Sequence, residues 1–256
     1  MKKNYRRVLT IAGSDSGGGA GIQADLKTFS ALGCYGMTAI TAITVQNTCG
    51  VSSILPVPPM LVKEQIEAVV SDLGVDAIKI GMLFDPPSMD LPNVPIVLDP
   101  VMQAKGGEPL LKPGAIDALK MLFPKVLLIT PNLDEASALL GQQILSREEM
   151  VEAGKALIAL GANNVLIKGG NQGCDCLITS SSEAFWFEKP SINTINTHGT
   201  GCTYSAAIAA YLAHGLPLNS AIKKAKHYLH NALKRGAEYQ LGSGHGPLCH
   251  FIGASR

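Results

Sequence analysis

Val8-Leu-Thr-Ile-Ala-Gly-Ser-Asp-Ser-Gly-Gly-Gly-Ala-Gly-Ile-Gln-Ala-Asp25 is the stretch on which the fold turns. Val8 to Ala12 reads as a buried strand, Gly13 to Gly21 as a glycine-rich turn, and about Ile22 to Leu32 as a helix. Outward from it the alternation continues. Tyr35 to Gln46 is rich in Thr, Ile and Val and reads as a strand, followed by a turn at Asn47-Thr-Cys-Gly50 and a second short strand. Leu61 to Leu73 has helical spacing, with Ile66, Val69, Val70 and Leu73 on one face. Ala77-Ile-Lys-Ile80 and Val94-Pro-Ile-Val-Leu98 read as short apolar strands, and Pro95 argues against a central place for the start of the second.

Further along, Pro113 is placed to open a helix running to Phe123. Val126 to Ile129 reads as a strand, Ser146-Arg-Glu-Glu149 as a capping box before a helix ending near Gly161, and Asn164 to Lys168 as another strand. Cys174 to Thr179 and Ala184 to Phe187 suggest a hairpin, and two helices close the chain, about Cys202 to His214 and Leu218 to Tyr239. This order predicts an α/β fold, a mainly parallel sheet with helices on both faces, in one domain over 1–256. Ligands in such sheets bind where strands end and loops begin.

Composition narrows the function. With 46% hydrophobic and 16% charged residues over 256 positions, the chain has ample material for a core. A formal net charge of +1 provides no field for nucleic acid or an acidic membrane, and a small ligand held by local groups fits better. The basic start, Met1 to Arg7, precedes an apolar run too short for a signal peptide, and no stretch approaches a membrane span, so a cytoplasmic location is expected. Six cysteines in such a chain are expected to be reduced; Cys174 and Cys176 share a strand face, a weak hint of metal binding.

Three loops carry candidate chemistry. In the first, Gly13 to Gly21, both usual nucleotide fingerprints fail. One needs glycine at Ile22 and the other lysine at Gly19, which leaves a turn whose bare backbone approaches a ligand or simply turns. Asp25, one turn into the helix, suits a dipole partner. In the second, Asn196-Thr-His-Gly-Thr-Gly-Cys-Thr-Tyr204, glycines just before a helix expose backbone N–H groups as an anion site. Cys202 stands at that helix start, where a thiol pKa is usually lowered; the alternatives are an inert buried cysteine or a nucleophile paired with His198. The third set, Asp99, Asn132 to Glu135 and Lys168, stands at strand ends and suits a Mg²⁺-phosphate site, with Asn132 and Glu135 equally readable as a capping box.

Read together, Leu9 to Phe29, Thr41 to Val51 with its Val-Gln-Asn-Thr core, Lys79-Ile-Gly-Met82, Leu98-Asp-Pro-Val-Met102, Ile129-Thr-Pro-Asn132, Lys168-Gly-Gly170 and Asn196 to Thr203 resemble the bacterial hydroxymethylpyrimidine/phosphomethylpyrimidine kinases over nearly the whole chain. The resemblance implies a ribokinase-like three-layer α/β/α sandwich, usually dimeric. It implies ATP- and Mg²⁺-dependent phosphorylation of 4-amino-5-hydroxymethyl-2-methylpyrimidine and of its monophosphate, on the way to thiamine diphosphate. By the same carry-over Cys202 is the base. Ala20, Asp25, Gln46, Met82 and Val101 form the pyrimidine pocket, Asp99 and Glu135 the metal side, Lys168 a phosphate contact, and Gly199, Thr200 and Gly201 the anion hole. A pyridoxal kinase is the nearest alternative. A non-catalytic regulator of the same fold is expected to lose Cys202 or the carboxylates, and all are present. Two departures stand out: Phe84 to Asn93 is short and proline-broken where many relatives carry a helix, and Cys49 stands where arginine is frequent.

Overall fold

The first strand, β1 (Arg6–Asp15), is apolar on both sides: Val8 packs into one hydrophobic cluster, and Leu9 and Ile11 into another. A strand buried on both faces belongs inside a parallel sheet covered by helices on each side, and the computed structural model of the chain has that form. It describes residues 4–86, 89–104, 106–170 and 173–251. Met1, Lys2 and Lys3 of the basic start, and Pro87 and Ser88 of the proline-broken segment, lie outside the described residues.

The chain continues through α1 (Gly21–Ala31), β2 (Cys34–Asn47), β3 (Gly50–Pro56), α2 (Pro59–Asp72), β4 (Ala77–Ile80), β5 (Ile96–Leu98), α3 (Ile116–Lys120), β6 (Leu128–Ile129), α4 (Leu133–Leu140) and α5 (Arg147–Ala159). It ends with β7 (Val165–Lys168), β8 (Cys174–Ile178), β9 (Ala184–Glu188), α6 (Thr200–Ala213) and α7 (Leu218–Gly236). One nine-stranded sheet runs β3-β2-β1-β4-β5-β6-β7-β8-β9. Its interior strands pair in parallel, while β3, β8 and β9 join antiparallel at the two edges.

Period-two alternation assigns each strand residue to a layer. Leu9, Ile78, Leu98, Ile129 and Ile167 face α2, α3, α4 and α5. Val8, Ala77, Val97, Leu128 and Leu166 face α1, α6 and α7. The α6 face is almost all small, with Ala206, Ala207, Ala209 and Ala210 fully buried, so that helix lies close against the sheet. These layers are the ribokinase-like α/β/α sandwich expected from the sequence.

Two local readings change. Pro113 does not open a helix. It occupies the second place of a turn closed by Ala115 N–H donating to Lys112 O at 3.0 Å, with Gly114 third at φ 79°, the conformation a type II turn requires. The helix starts only at Ile116 and gives way to a 3₁₀ turn over Phe123–Lys125. The strand after Pro95 does lie in the middle of the sheet, because it begins one residue beyond the proline. Around the shortened segment no helix occurs among the described residues, and Leu83 and Met89 fill the core there instead.

Candidate active site

Because β1, β4, β5, β6 and β7 run parallel, their C-terminal ends deliver five loops to one edge of the sheet. A cavity of about 620 Å³ opens there. Ala20, Gln46, Met82, Asp99, Val101, Glu135, Lys168, Gly199, Thr200, Gly201 and Cys202 all line it. Of the site residues expected from the family resemblance, Asp25 does not.

The charged end is compact. Lys168, at the end of β7, places its Nζ 2.6 Å from Asp99 Oδ1 and 4.0 Å from Glu135 Oε2. Thr130 donates to Asp99 Oδ1 at 3.1 Å and Ser205, from α6, to Oδ2 at 3.2 Å. Burial works against ionisation of Asp99, but Lys168 and Lys79 outweigh it and hold the carboxyl below its ordinary range. Glu135 is both things the sequence allowed. Its carboxylate accepts from Asn132 N–H while Asn132 Oδ1 accepts from Glu135 N–H, each at 2.8 Å, and the same side chain lines the cavity. Burial, with Asp99 adding and Lys168 opposing, pushes Glu135 up to about 7.

The second loop enters α6 through Gly199 at φ 82°, with no side-chain cap. The first intrahelical bond comes from Thr203 N–H to Gly199 O at 2.8 Å, so Gly201 and Cys202 lie in the open first turn that attracts anions. A Cβ added to Gly199 would collide with Gly19 O, and one added to Gly19 with the His198 ring. The two glycine loops therefore pack backbone against backbone.

Three sequence expectations are corrected. Asp25 is not in the pocket: it is wholly buried beneath the site, accepting from Lys79 Nζ at 2.9 and 2.7 Å and from Thr10 Oγ1 at 2.6 Å. Lys79 resists burial because Asp25, and beyond it Cys202 and Asp99, keep it charged. Cys202 is not a ready thiolate. Its burial raises the pKa to about 11, with Lys79 lowering it and Asp25 and Asp99 raising it. The first turn of a helix cannot offset that desolvation. Nor is His198 a partner for Cys202: its Nε2 stands 2.8 Å from Asp15 Oδ2. Cys174 and Cys176 are buried free thiols, and no cluster of three metal-ligating His, Cys, Asp or Glu occurs among the described residues.

Sequence reasoning missed Asp15. Its carboxylate accepts from Gly17 N–H at 2.8 Å, Gly19 N–H at 3.0 Å and Ala20 N–H at 2.8 Å, and so shapes the first glycine loop around itself. Desolvation is offset by His198 and these backbone donors, which hold Asp15 below the ordinary range. The available signal was a carboxylate inside a glycine run, where exposed backbone N–H groups need an acceptor. Lys79 had a signal too, as the one charge in the apolar strand Ala77-Ile-Lys-Ile80.

Comparison with known proteins decides the family. A model of the phosphomethylpyrimidine kinase family matches residues 15–249. The chain belongs to the phosphomethylpyrimidine kinase family. It is 47% identical to a hydroxymethylpyrimidine/phosphomethylpyrimidine kinase of Haemophilus influenzae, with 97% of each chain covered. It is 49% identical to a thiamine biosynthesis bifunctional protein of Geobacter sulfurreducens, covering 96% of this chain but spanning only 52% of that longer protein. Among solved structures, pyridoxal kinase of Bacillus subtilis in complex with ADP superposes with a TM-score of 0.85 at 38% identity, covering 96% of this chain and 98% of that one. In this phosphomethylpyrimidine kinase family member the cavity edge is therefore the place to look for phosphoryl transfer.

Proposed function

We propose that the chain transfers the γ-phosphoryl group of ATP first to the hydroxymethyl oxygen of 4-amino-5-hydroxymethyl-2-methylpyrimidine and then to the resulting monophosphate, for thiamine diphosphate synthesis. One observation carries this reading: a polar amide, a half-buried thiol, an open helix start and a lysine-carboxylate cluster all face one cavity. Phosphoryl transfer asks a protein mainly for positioning and charge neutralisation.

In this reading Gln46 contacts the pyrimidine edge, and Met82 and Val101 cover the ring, with Ala20 at its margin. Lys168 neutralises phosphate oxygens, and the Gly199-Thr200-Gly201 backbone receives them. Asp99 and Glu135 fit Mg²⁺ because the ion takes oxygen ligands, keeps several waters and shares substrate phosphates, so a full protein cage is unnecessary. Burial, with Asp99 adding and Lys168 4.0 Å away opposing, raises the proton affinity of Glu135, and a bound cation would favour its ionised form. When bound, Mg²⁺ would neutralise charge on the phosphates. Cys202, in its ionised form, takes the alcohol proton in the first transfer; burial holds that form back and Lys79 opposes the burial only in part. The second acceptor is already a phosphate oxygen, so that transfer leans on Lys168 and the helix start instead.

A pyridoxal kinase is the second reading, because the Bacillus subtilis enzyme of that activity shares fold and 38% of residues. Comparative turnover on the two alcohols separates them. No helix among the described residues is long and apolar enough to cross a membrane. A cytoplasmic, single-domain enzyme acting on small molecules belongs to this proposal. Ile43, Val45 and Leu55, exposed on the β2–β3 edge, offer the apolar surface for a homodimer, measurable by sedimentation. Phosphorus NMR of hydroxymethylpyrimidine with ATP and Mg²⁺ tests the function: a monophosphate followed by a diphosphate is expected, and an unchanged ATP spectrum would overturn it.

A further inference from the structure

The Asp15–His198 pair closes a chain of polar contacts that reaches Gln46. His198 Nε2 lies 2.8 Å from Asp15 Oδ2 and 3.5 Å from Gln46 Nε2. Gln46 Oε1 lies 3.0 Å from Thr44 Oγ1, which is itself 3.0 Å from Ser14 O. The two ends of an amide are alike in shape, so hydrogen-bond chemistry decides which faces which neighbour. Asp15 is ionised and only accepts, so His198 carries its proton on Nε2 and directs it there. A protonated Nε2 cannot accept from the amide nitrogen placed against it, so the two amide ends exchange and the oxygen turns toward His198. The amide NH₂ then faces Thr44 Oγ1, which accepts from it and gives its single proton to Ser14 O, an acceptor only. The Thr44 end is consistent with the orientation that the His198 end requires.

We propose that Asp15, His198 and Thr44 are positioning residues that fix which way the Gln46 amide faces the substrate, and through it which way the substrate ring points. The proposal rests on Gln46 contacting the ring. With the amide oxygen on the His198 side, the exocyclic amine of an aminopyrimidine must lie on that side and its neighbouring ring nitrogen on the Thr44 side. The hydroxymethyl group is attached next to the amine, on the side away from that nitrogen. It is thereby turned past His198 toward the residues that follow it in sequence, Gly199 to Cys202. The opposite amide would point it away. His198 therefore joins recognition of the ring to delivery of the hydroxyl, at the place where the two glycine loops touch.

The test compares kcat/KM for the 4-amino substrate with that for its 4-oxo counterpart, whose edge has donor and acceptor exchanged. A site built to pair polar groups rejects the exchanged edge, so the wild type is expected to prefer the amine by at least about tenfold. His198→Phe keeps a ring but no donor, and Asp15 retains its three backbone donors. Thr44→Val removes the other anchor with little change in shape. Each is expected to lower the amine preference by about fivefold or more, with the double variant lower still. Equal falls in kcat/KM for both compounds, leaving the ratio as in wild type, would overturn the proposal, and Thr44→Val gives that answer even if His198→Phe does not fold. Gln46→Leu separates the premises: if it leaves the amine's kcat/KM untouched, ring contact and proposal fail together. If it weakens the amine while the ratio in the other variants stays flat, the proposal alone fails.

Discussion

Two lysines of the same sheet, each within 3 Å of a carboxylate, have opposite surroundings. Lys79 on β4 and its partner Asp25 are 0% exposed, with both carboxylate oxygens turned to the ammonium. Lys168 on β7 keeps 11% of its side chain open, and its partner Asp99 is steadied by Thr130 and Ser205 as well. The sealed pair ties α1 to the centre of the sheet and offers nothing to a ligand. The open one presents its charge to the cavity. Depth, not residue type, divides structural from functional chemistry here.

The largest expected effect tests the sealed side. Lys79→Met leaves Asp25 buried without its counter-charge, which costs about 3–5 kcal/mol of folding stability, readable from urea denaturation. A loss below about 1 kcal/mol would mean that the pair is not the tie described. On the open side, Lys168→Met is expected to lower kcat/KM by about 10²–10³-fold, the scale of removing a charge-stabilising donor. Its denaturation midpoint should fall less than that of Lys79→Met, because Asp99 keeps Thr130 and Ser205 as donors and Lys79 nearby. If instead stability collapsed as in Lys79→Met, the contrast would disappear.

His250 shows burial without any counter-charge. It is 2% exposed beneath α6, its Nε2 2.9 Å from Thr203 Oγ1, and burial lowers its pKa to about 4. The unfolded chain takes up this proton near 6.5 and the folded one only near 4, so the contribution is fully present above about 6.5 and disappears as pH falls toward 4. The acid loss from this group is on the order of 3 kcal/mol. His250→Gln, which keeps a polar partner for Thr203, should flatten that part of the stability-pH curve. The smallest effects come from the two capping boxes. Ser146→Ala and Asn132→Ala should each cost about 1 kcal/mol of stability. Only Asn132→Ala should also slow turnover, because its box partner Glu135 lines the cavity.

The alternation of apolar strands and amphipathic helices made the layers legible, and Ser146-x-x-Glu149 located the start of α5 to the residue. Strand ends named the cavity well, since parallel strands must open their loops on one edge. Depth was not legible. Asp25 falls within a stretch shared with the family, but one turn into α1 the helix rotates it toward the sheet, where only Lys79 and Thr10 reach it. The helix-start expectation for Cys202 left out the cost of removing water from a thiolate, which outweighs the pull of the helix dipole. Pro113 misled because its turn role depends on Gly114 in the positive-φ region, which a proline-first helix reading ignores. His198 was read against the nearest reactive residue in sequence, whereas its partner lies 183 positions away.

The account depends most on one cysteine with a task in one transfer and not in the other. Cys202→Ala, assayed separately on hydroxymethylpyrimidine and on phosphomethylpyrimidine, tests it directly. The first rate should fall by at least about tenfold to a hundredfold, within the range for a positioned base, and the second far less. In wild type only the first rate should climb as pH rises above neutral, because burial holds the thiol up to about 11. Equal losses in both transfers, or none in either, would contradict the assignment of Cys202 as the base.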